Sequence, residues 1–300
     1  MIAPDDVTLP KPCSIAVLGC GLMGSSVARA LAASDHAVRV WNRTSEKARA
    51  LEDTPGIVAA DSPADACRHA DLVVSVLEGY DVVRELLLDV PDLRGGTFVN
   101  LTTGVRGDAR DMQQRVESAA ARYLEGTVLS YPQNIGTPQG LIVYSGPSEV
   151  FSEHRHVLMA LGGASRHVST EIGGANVCAV VSAFFIAALT ALAESMTYLT
   201  DNGIGLADAE ACAQSLIDRL SWQATELLQA VRSGDFHTDQ ASIDAYASAA
   251  SAFRFAVSEA GHCSTMLAAT EQVLARAQRA GLGEFAMGAV VRAGSRGPSV

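Results

Sequence analysis

Six residues near the start of the chain, Gly19-Cys20-Gly21-Leu22-Met23-Gly24, have the G-x-G-x-x-G spacing that can cradle a pyrophosphate. Each glycine serves a separate need. Gly19 permits a tight turn, Gly21 lets a phosphate approach the backbone, and Gly24 lets a helix pack close against a strand. The free N–H groups of the helix that follows then meet the anion with a partial positive charge. Further on, Asn42-Arg43-Thr44-Ser45-Glu46-Lys47 stands where a site for an unphosphorylated ribose usually has an acidic residue. Asn42 carries no charge to repel a 2′-phosphate. Arg43 can fork onto one, Thr44 can donate a hydrogen bond, and Lys47 adds charge. These types predict NADPH rather than NADH.

That chemistry requires a strand–turn–helix–strand unit, and the pattern supplies one. Residues 15–18 are an apolar run, 25–33 are Ala-rich with helical composition, and 37–41 are a second apolar run. Ser62-Pro63-Ala64-Asp65 has the form of a helix start, with Ser62 as cap and Pro63 in the first position. Strands are predicted at 70–77, 96–101, 123–129 and 140–146, and helices at 78–88, 109–121 and 150–161. Strands alternating with helices predict an α/β fold, a Rossmann-type doubly wound parallel sheet.

Beyond residue 170 the pattern is helical: 175–199, 206–234, 242–261 and 265–280. The first of these is apolar on every side. It is Ala-rich and lacks basic flanks and aromatic belts, so it reads as a buried central helix rather than a membrane span. The predicted division is 1–170 for the NADP-binding Rossmann domain, with 1–12 a flexible tail, and 171–300 for a long interdomain helix and an all-helical domain.

Bulk properties exclude several classes. A net charge of −11 opposes binding to nucleic acid or anionic membranes, whose phosphates reward basic surfaces. Six scattered cysteines without a C-x-x-C pair fit neither a disulfide scaffold nor a zinc ribbon, and no metal site is expected. The opening MIAPDDVTLPKPC has no apolar stretch of the secretory kind. Reduced thiols and no leader predict a cytoplasmic protein.

Several segments resemble one superfamily. The opening LGCGLMG…NRT is similar to the 3-hydroxyacid dehydrogenases and their relatives, the bacterial imine reductases. Val99-Asn100-Leu101-Thr102-Thr103-Gly104 resembles the imine reductase "VNLTSG" segment. Leu124-Glu125-Gly126 and Tyr131-Pro132-Gln133-Asn134-Ile135-Gly136-Thr137-Pro138 resemble its "PQMIGTP" turn, where hydroxyacid enzymes show "PVSGG". Gly234-Asp235-Phe236, Asp239, Ser242-Ile243-Asp244 and Ser258-Glu259-Ala260-Gly261 also sit as in imine reductases.

The resemblance implies NADPH-dependent reduction of a cyclic imine or iminium to an amine. It implies a homodimer with interlocked helical C-terminal domains, and a cleft between one subunit's nucleotide domain and the other's helices. It assigns the cofactor to Gly19, Gly21, Leu22, Met23, Gly24, Asn42, Arg43, Thr44, Lys47, Leu77, Asn100 and Thr102. Counting from Gly173-Gly174 brings the family's proton-donor position to Cys178, where hydroxyacid enzymes have Lys and many imine reductases Asp or Tyr. Tyr131, Asp239 and Tyr246 are further candidates for the catalytic proton. Losing the Lys argues against removing an alcohol proton but matters less for a substrate that arrives as an iminium. A 3-hydroxyacid-type dehydrogenase and a non-catalytic NADPH-binding relative stay open as alternatives. The natural substrate and the product's handedness are not written in the sequence.

Overall fold

The computed structural model describes residues 12–90, 93 and 95–294. The predicted N-terminal tail lies almost wholly outside these residues, as does the C-terminal SRGPSV. Packing divides the chain into two compact units, Met1–Ser182 and Ala183–Val300. This boundary falls later than residue 170, because a short helix, Gly174–Ala179, packs against the strands of the first unit.

The first unit runs β1 Ser14–Leu18, α1 Leu22–Ala33, β2 Ala37–Trp41, α2 Ser45–Arg49, β3 Ile57–Ala59, α3 Pro63–Cys67, β4 Leu72–Ser75 and α4 Tyr80–Leu88. It continues with β5 Thr97–Asn100, α5 Arg106–Ser118, β6 Arg122–Val128, β7 Ile142–Ser145, α6 Ser148–Glu153, α7 Arg155–Ala160, β8 Arg166–Ser169 and α8 Gly174–Ala179. The helix expected at 150–161 is thus two, broken at His154. The eight strands lie in the order β3-β2-β1-β4-β5-β6-β7-β8. The direction of winding reverses between β1 and β4, the switch point at which doubly wound sheets bind ligands.

One pairing departs from a fully parallel sheet: β7 runs antiparallel to β6. Their connection holds a single 3-10 turn, Pro132–Asn134, and no crossover helix that could bring the chain back parallel. Alternate strand residues feed two cores. Ile15, Val17, Val38, Val40 and Val74 pack with Val27 and Leu31 of α1 on one face. Leu18, Val73, Phe98 and Tyr123 pack with Val83, Leu86, Met112 and Val116 on the other. Ser62 caps α3 as its sequence suggests, accepting from the Asp65 N–H at 3.0 Å.

The second unit contains α9 Ser182–Asp201, α10 Leu206–Ser233, α11 Ile243–Glu259, α12 Thr265–Arg279 and a 3-10 segment, Met287–Ala293. Its core is small, gathered around Phe236, Ile243, Leu274, Ala277 and Ala289. Glu194 of α9 accepts from the Met266 N–H at 3.2 Å and so closes the first turn of α12.

The expectation of a buried central helix is not met within the chain. α9 has no buried residue. Gly174–Asp201 reaches a mean hydropathy of 2.1 over its most apolar window, and 11% of that window is buried. By length and composition alone this helix could cross a membrane. A helix apolar on all sides needs cover on all sides, and one copy of the chain supplies little of it.

Candidate active site

The loop from β1 to α1 is built as its glycines require. Gly19 has φ +107°, and a Cβ there would lie closer than 3.0 Å to the Val76 carbonyl. A Cβ on Gly24 would lie closer than 3.0 Å to the carbonyl of Gly19, so the helix could not approach its strand. Gly21 differs: a Cβ there meets nothing within 4 Å. That open side, with no side-chain cap on α1 and no acidic residue in its first turn, leaves room and unpaired N–H groups for an anion. The residues present therefore fit a dinucleotide pyrophosphate. Leu22 stands 85% exposed at the head of the helix, while Met23 packs partly into the core beneath.

Asn42 does more than avoid repelling a phosphate. Its Oδ1 accepts from the Cys20 N–H at 2.9 Å, and its Nδ2 donates to the Thr44 carbonyl at 3.0 Å. One side chain thereby ties the Gly-rich loop to the turn after β2. Arg43, Thr44 and Lys47 are exposed on that turn, and Thr44 makes no side-chain cap to α2. The Lys47 charge reaches the loop, where it opposes the rise that burial imposes on the Cys20 thiol, pushed up to about 11.

Leu77, Asn100 and Thr102 hold the next loops together. Thr102 Oγ1 accepts from the Leu77 N–H at 3.1 Å, and Asn100 Oδ1 accepts from the Thr102 N–H at 3.2 Å. Asn100 and Thr102 are buried at 0% and 1% exposure, so their side chains serve the protein here rather than standing open to a ligand.

Asn100 belongs to a polar row that the sequence reading did not find. Ser75, Asn100, Glu125, Ser145 and Ser169 are paired in register across β4 to β8. All but Ser169 are fully buried at the C-terminal edge of the sheet. Ser75 Oγ donates to Asn100 Oδ1 at 2.6 Å, and Asn100 Nδ2 donates to the Tyr123 hydroxyl at 3.3 Å. Tyr123 donates to Glu125. The row also seats α8. Ser145 Oγ accepts from the Ala175 N–H at 2.9 Å, Thr127 donates to Asn176 Oδ1 at 3.2 Å, and Asn176 Nδ2 donates to the Tyr80 hydroxyl at 3.2 Å. Burial without a cation pushes the Glu125 carboxyl up to about 8, the Tyr123 hydrogen bond opposing, so it is largely neutral at neutral pH. A signal was present: LVVS, TFVN and IVYS each end an apolar strand on a polar residue, and Glu125 interrupts the fourth.

The candidates for the catalytic proton divide between the units. Cys178 is half-buried on α8, and Tyr131 is 56% exposed at the head of the Pro132–Asn134 turn. In the second unit, Asp239 is exposed in the loop before α11, and Tyr246 of α11 packs partly into the core around Phe236. Among the described residues no group of three or more His, Cys, Asp or Glu could hold a metal ion.

A doubly wound sheet with a glycine-lined, uncapped helix at its switch point defines a dinucleotide-binding domain. The chain belongs to the family of the NAD-binding domain of 6-phosphogluconate dehydrogenase, whose model matches residues 14–174. It is 32% identical over 163 residues to an NADPH-dependent reductive aminase of Aspergillus oryzae, covering 54% of this chain and 55% of the aminase. It thus spans about half the length of that curated relative. Its fold matches the imine reductase from Myxococcus stipitatus in complex with NADP+ at TM-score 0.86 and 27% identity, over 93% of this chain and 99% of that one. An imine reductase from Pseudomonas sp. matches at TM-score 0.83 and 26% identity, over 94% and 99%.

Proposed function

We propose that this chain reduces the C=N bond of an imine or iminium to an amine, with NADPH as its cofactor. The observation that carries the reading is a likeness to imine reductases over nearly the whole chain, second unit included, together with the open anion cradle at Gly21. The α1 N-terminus would hold the pyrophosphate, and Arg43, Thr44 and Lys47 would hold the 2′-phosphate. When bound, the cofactor supplies the hydride. The chain's own contribution is to orient the substrate, exclude water and leave the substrate nitrogen its proton. Turnover of NADPH with a panel of cyclic imines, against reduction of NADP+ with hydroxyacids, tests this. Turnover only with hydroxyacids would favour the dehydrogenase alternative, and turnover with neither a non-catalytic relative.

The position of Cys178 sets how the nitrogen is protonated. A basic alkyl imine arrives as its iminium and needs no donor. Cys178→Ala is therefore expected to keep most activity on such substrates, with rates falling at high pH as free imine replaces iminium. A thiol acting as general acid would instead cost about 10²-fold or more in kcat. A loss of that size, in a variant that folds and binds NADPH normally, would make Cys178 the donor.

We also read the protein as a cytoplasmic homodimer. The six cysteines are scattered along the chain with no C-x-x-C pair, as suits a reducing compartment. Phe184, Ile186 and Leu189 are 48–62% exposed along α9, more apolar surface than a monomer normally leaves to water. A second copy wrapped on α9 would cover them, as the resemblance implies. Light scattering at micromolar concentration is expected to give twice the chain mass, and a monomer would refute the assembly.

A further inference from the structure

Glu125 is a buried acid for which the proposed reaction has no use. Its carboxyl is fully buried; Oε2 receives the Tyr123 hydroxyl, and Oε1 has no hydrogen-bond partner. A buried carboxylate with one orphaned oxygen would be costly, whereas a carboxylic acid can turn its own O–H toward a neighbouring hydroxyl. The Tyr80 hydroxyl stands beside it, and Tyr80 is also the group that Asn176 of α8 binds, at 3.2 Å. Asn176 precedes Cys178 by two residues on that short helix. A continuous polar path thus runs from β6 through α4 to the helix that carries Cys178.

We propose that Glu125 is a positioning residue that works as a neutral acid, joining Tyr123 and Tyr80 so that Tyr80 can hold Asn176 and fix α8, and with it Cys178, against the C-terminal edge of the sheet. The titratable groups that act on the carboxyl are Tyr123 on its own strand, Tyr80 on α4 and Asp108 on α5. The Asp108 charge favours the neutral form, as burial does. β5, β7 and α8 contribute only the uncharged Asn100, Ser145 and Asn176 to the network. Ionisation of Glu125 would place a bare charge among them and loosen the seat of α8.

The sign of the pH effect follows. The folded chain keeps the Glu125 proton up to about pH 8, whereas the unfolded chain releases it in the ordinary carboxylate range. Between those limits unfolding releases a proton, so raising pH lowers stability. Glu125→Gln, neutral at every pH, is expected to gain in Tm over the parent as pH rises from about 5 to about 8. A difference in Tm that does not change with pH would show that Glu125 is not held as the acid.

The positioning role is read at Cys178 itself, in a Cys212→Ser, Cys263→Ser background that removes the exposed thiols. Iodoacetamide should modify Cys178 faster in Glu125→Ala than in the parent, with Glu125→Gln restoring the slow rate. The ratio of parent to Gln rates should stay constant below neutral pH and climb above about pH 8. If Glu125→Ala does not fold, Tyr80→Phe removes only the linking hydroxyl and carries the same comparison. Labelling that responds in a chain inactive on every imine would sink the proposed reaction and leave the positioning role standing. A labelling rate indifferent to both Glu125→Ala and Tyr80→Phe would overturn the positioning role.

Discussion

Gly24→Ala is expected to abolish useful binding of the dinucleotide, whereas Gly21→Ala should leave the fold untouched and weaken binding for a different reason. The added Cβ at residue 24 would overlap the Gly19 carbonyl, which belongs to the rigid backbone of the turn and cannot swing aside. Gly19 is itself fixed, its N–H bonded to the Trp41 carbonyl at 2.8 Å. Helix α1 must therefore move off the end of β1 or strain the turn, at about 1–3 kcal/mol. The three N–H groups at its head move with it, and they are the phosphate donors. Strain and misplacement together predict a loss of about 10²-fold or more in NADPH affinity, since each 1.4 kcal/mol is about tenfold. The variant's Tm should fall as well.

At Gly21 the backbone is an ordinary extended one, φ −71° and ψ −173°, and a methyl meets nothing within 4 Å. Its only new neighbour would be a ligand. The apo Tm of Gly21→Ala should match the parent, while NADPH affinity measured by fluorescence titration falls. If Gly24→Ala binds NADPH like the parent, or if Gly21→Ala loses stability but no affinity, the cradle is misassigned.

These glycines were legible because their constraint is local: six consecutive residues, flanked by two apolar runs, specify a turn and what it can hold. Other features were legible only in part, for identifiable reasons. β3 is three residues long, and Ile57 alone of them is buried, too little for a period to show. β8 reads RHVS, half-exposed along its length, because an edge strand has one paired side and no core to fill. The single helix expected at 175–199 is two, α8 and α9, parted at Val180 and Val181, and its all-round apolar pattern cannot say whether cover comes from the same copy of the chain.

The polar row was the largest omission. Ser75, Asn100, Glu125 and Ser145 lie 20 to 25 residues apart, and each alone looks like the polar end of a strand. Only the register of four neighbouring strands brings them side by side, and register is a long-range property. The same network gives Asn100 and Thr102 a structural part as well. Their hydrogen bonds hold the loops after β4 and β5, so substituting them would disturb the site's frame.

The turn after β2 carries the second large prediction, because its residues are exposed and do little for the fold. Arg43 has neither a salt bridge nor a side-chain hydrogen bond in the described structure, so removing it should leave the apo protein's Tm unchanged. Asn42 must be left alone in this test, since its side chain holds the Gly-rich loop through Cys20. Arg43→Ala should then report on the ribose phosphate by itself. A charged hydrogen bond lost to a phosphate costs about 1.5–3 kcal/mol, or about 10- to 150-fold in affinity at 1.4 kcal/mol per decade. NADH has no 2′-phosphate, so its affinity should hardly move. Raising salt should weaken NADPH binding to the parent more than to the variant, because the attraction being screened is the one removed. Lys47→Ala should act in the same direction but less, as a single exposed point charge without the guanidinium fork. Equal losses for NADPH and NADH in Arg43→Ala would show that the turn does not read the 2′-phosphate and that the preference for NADPH lies elsewhere in the site.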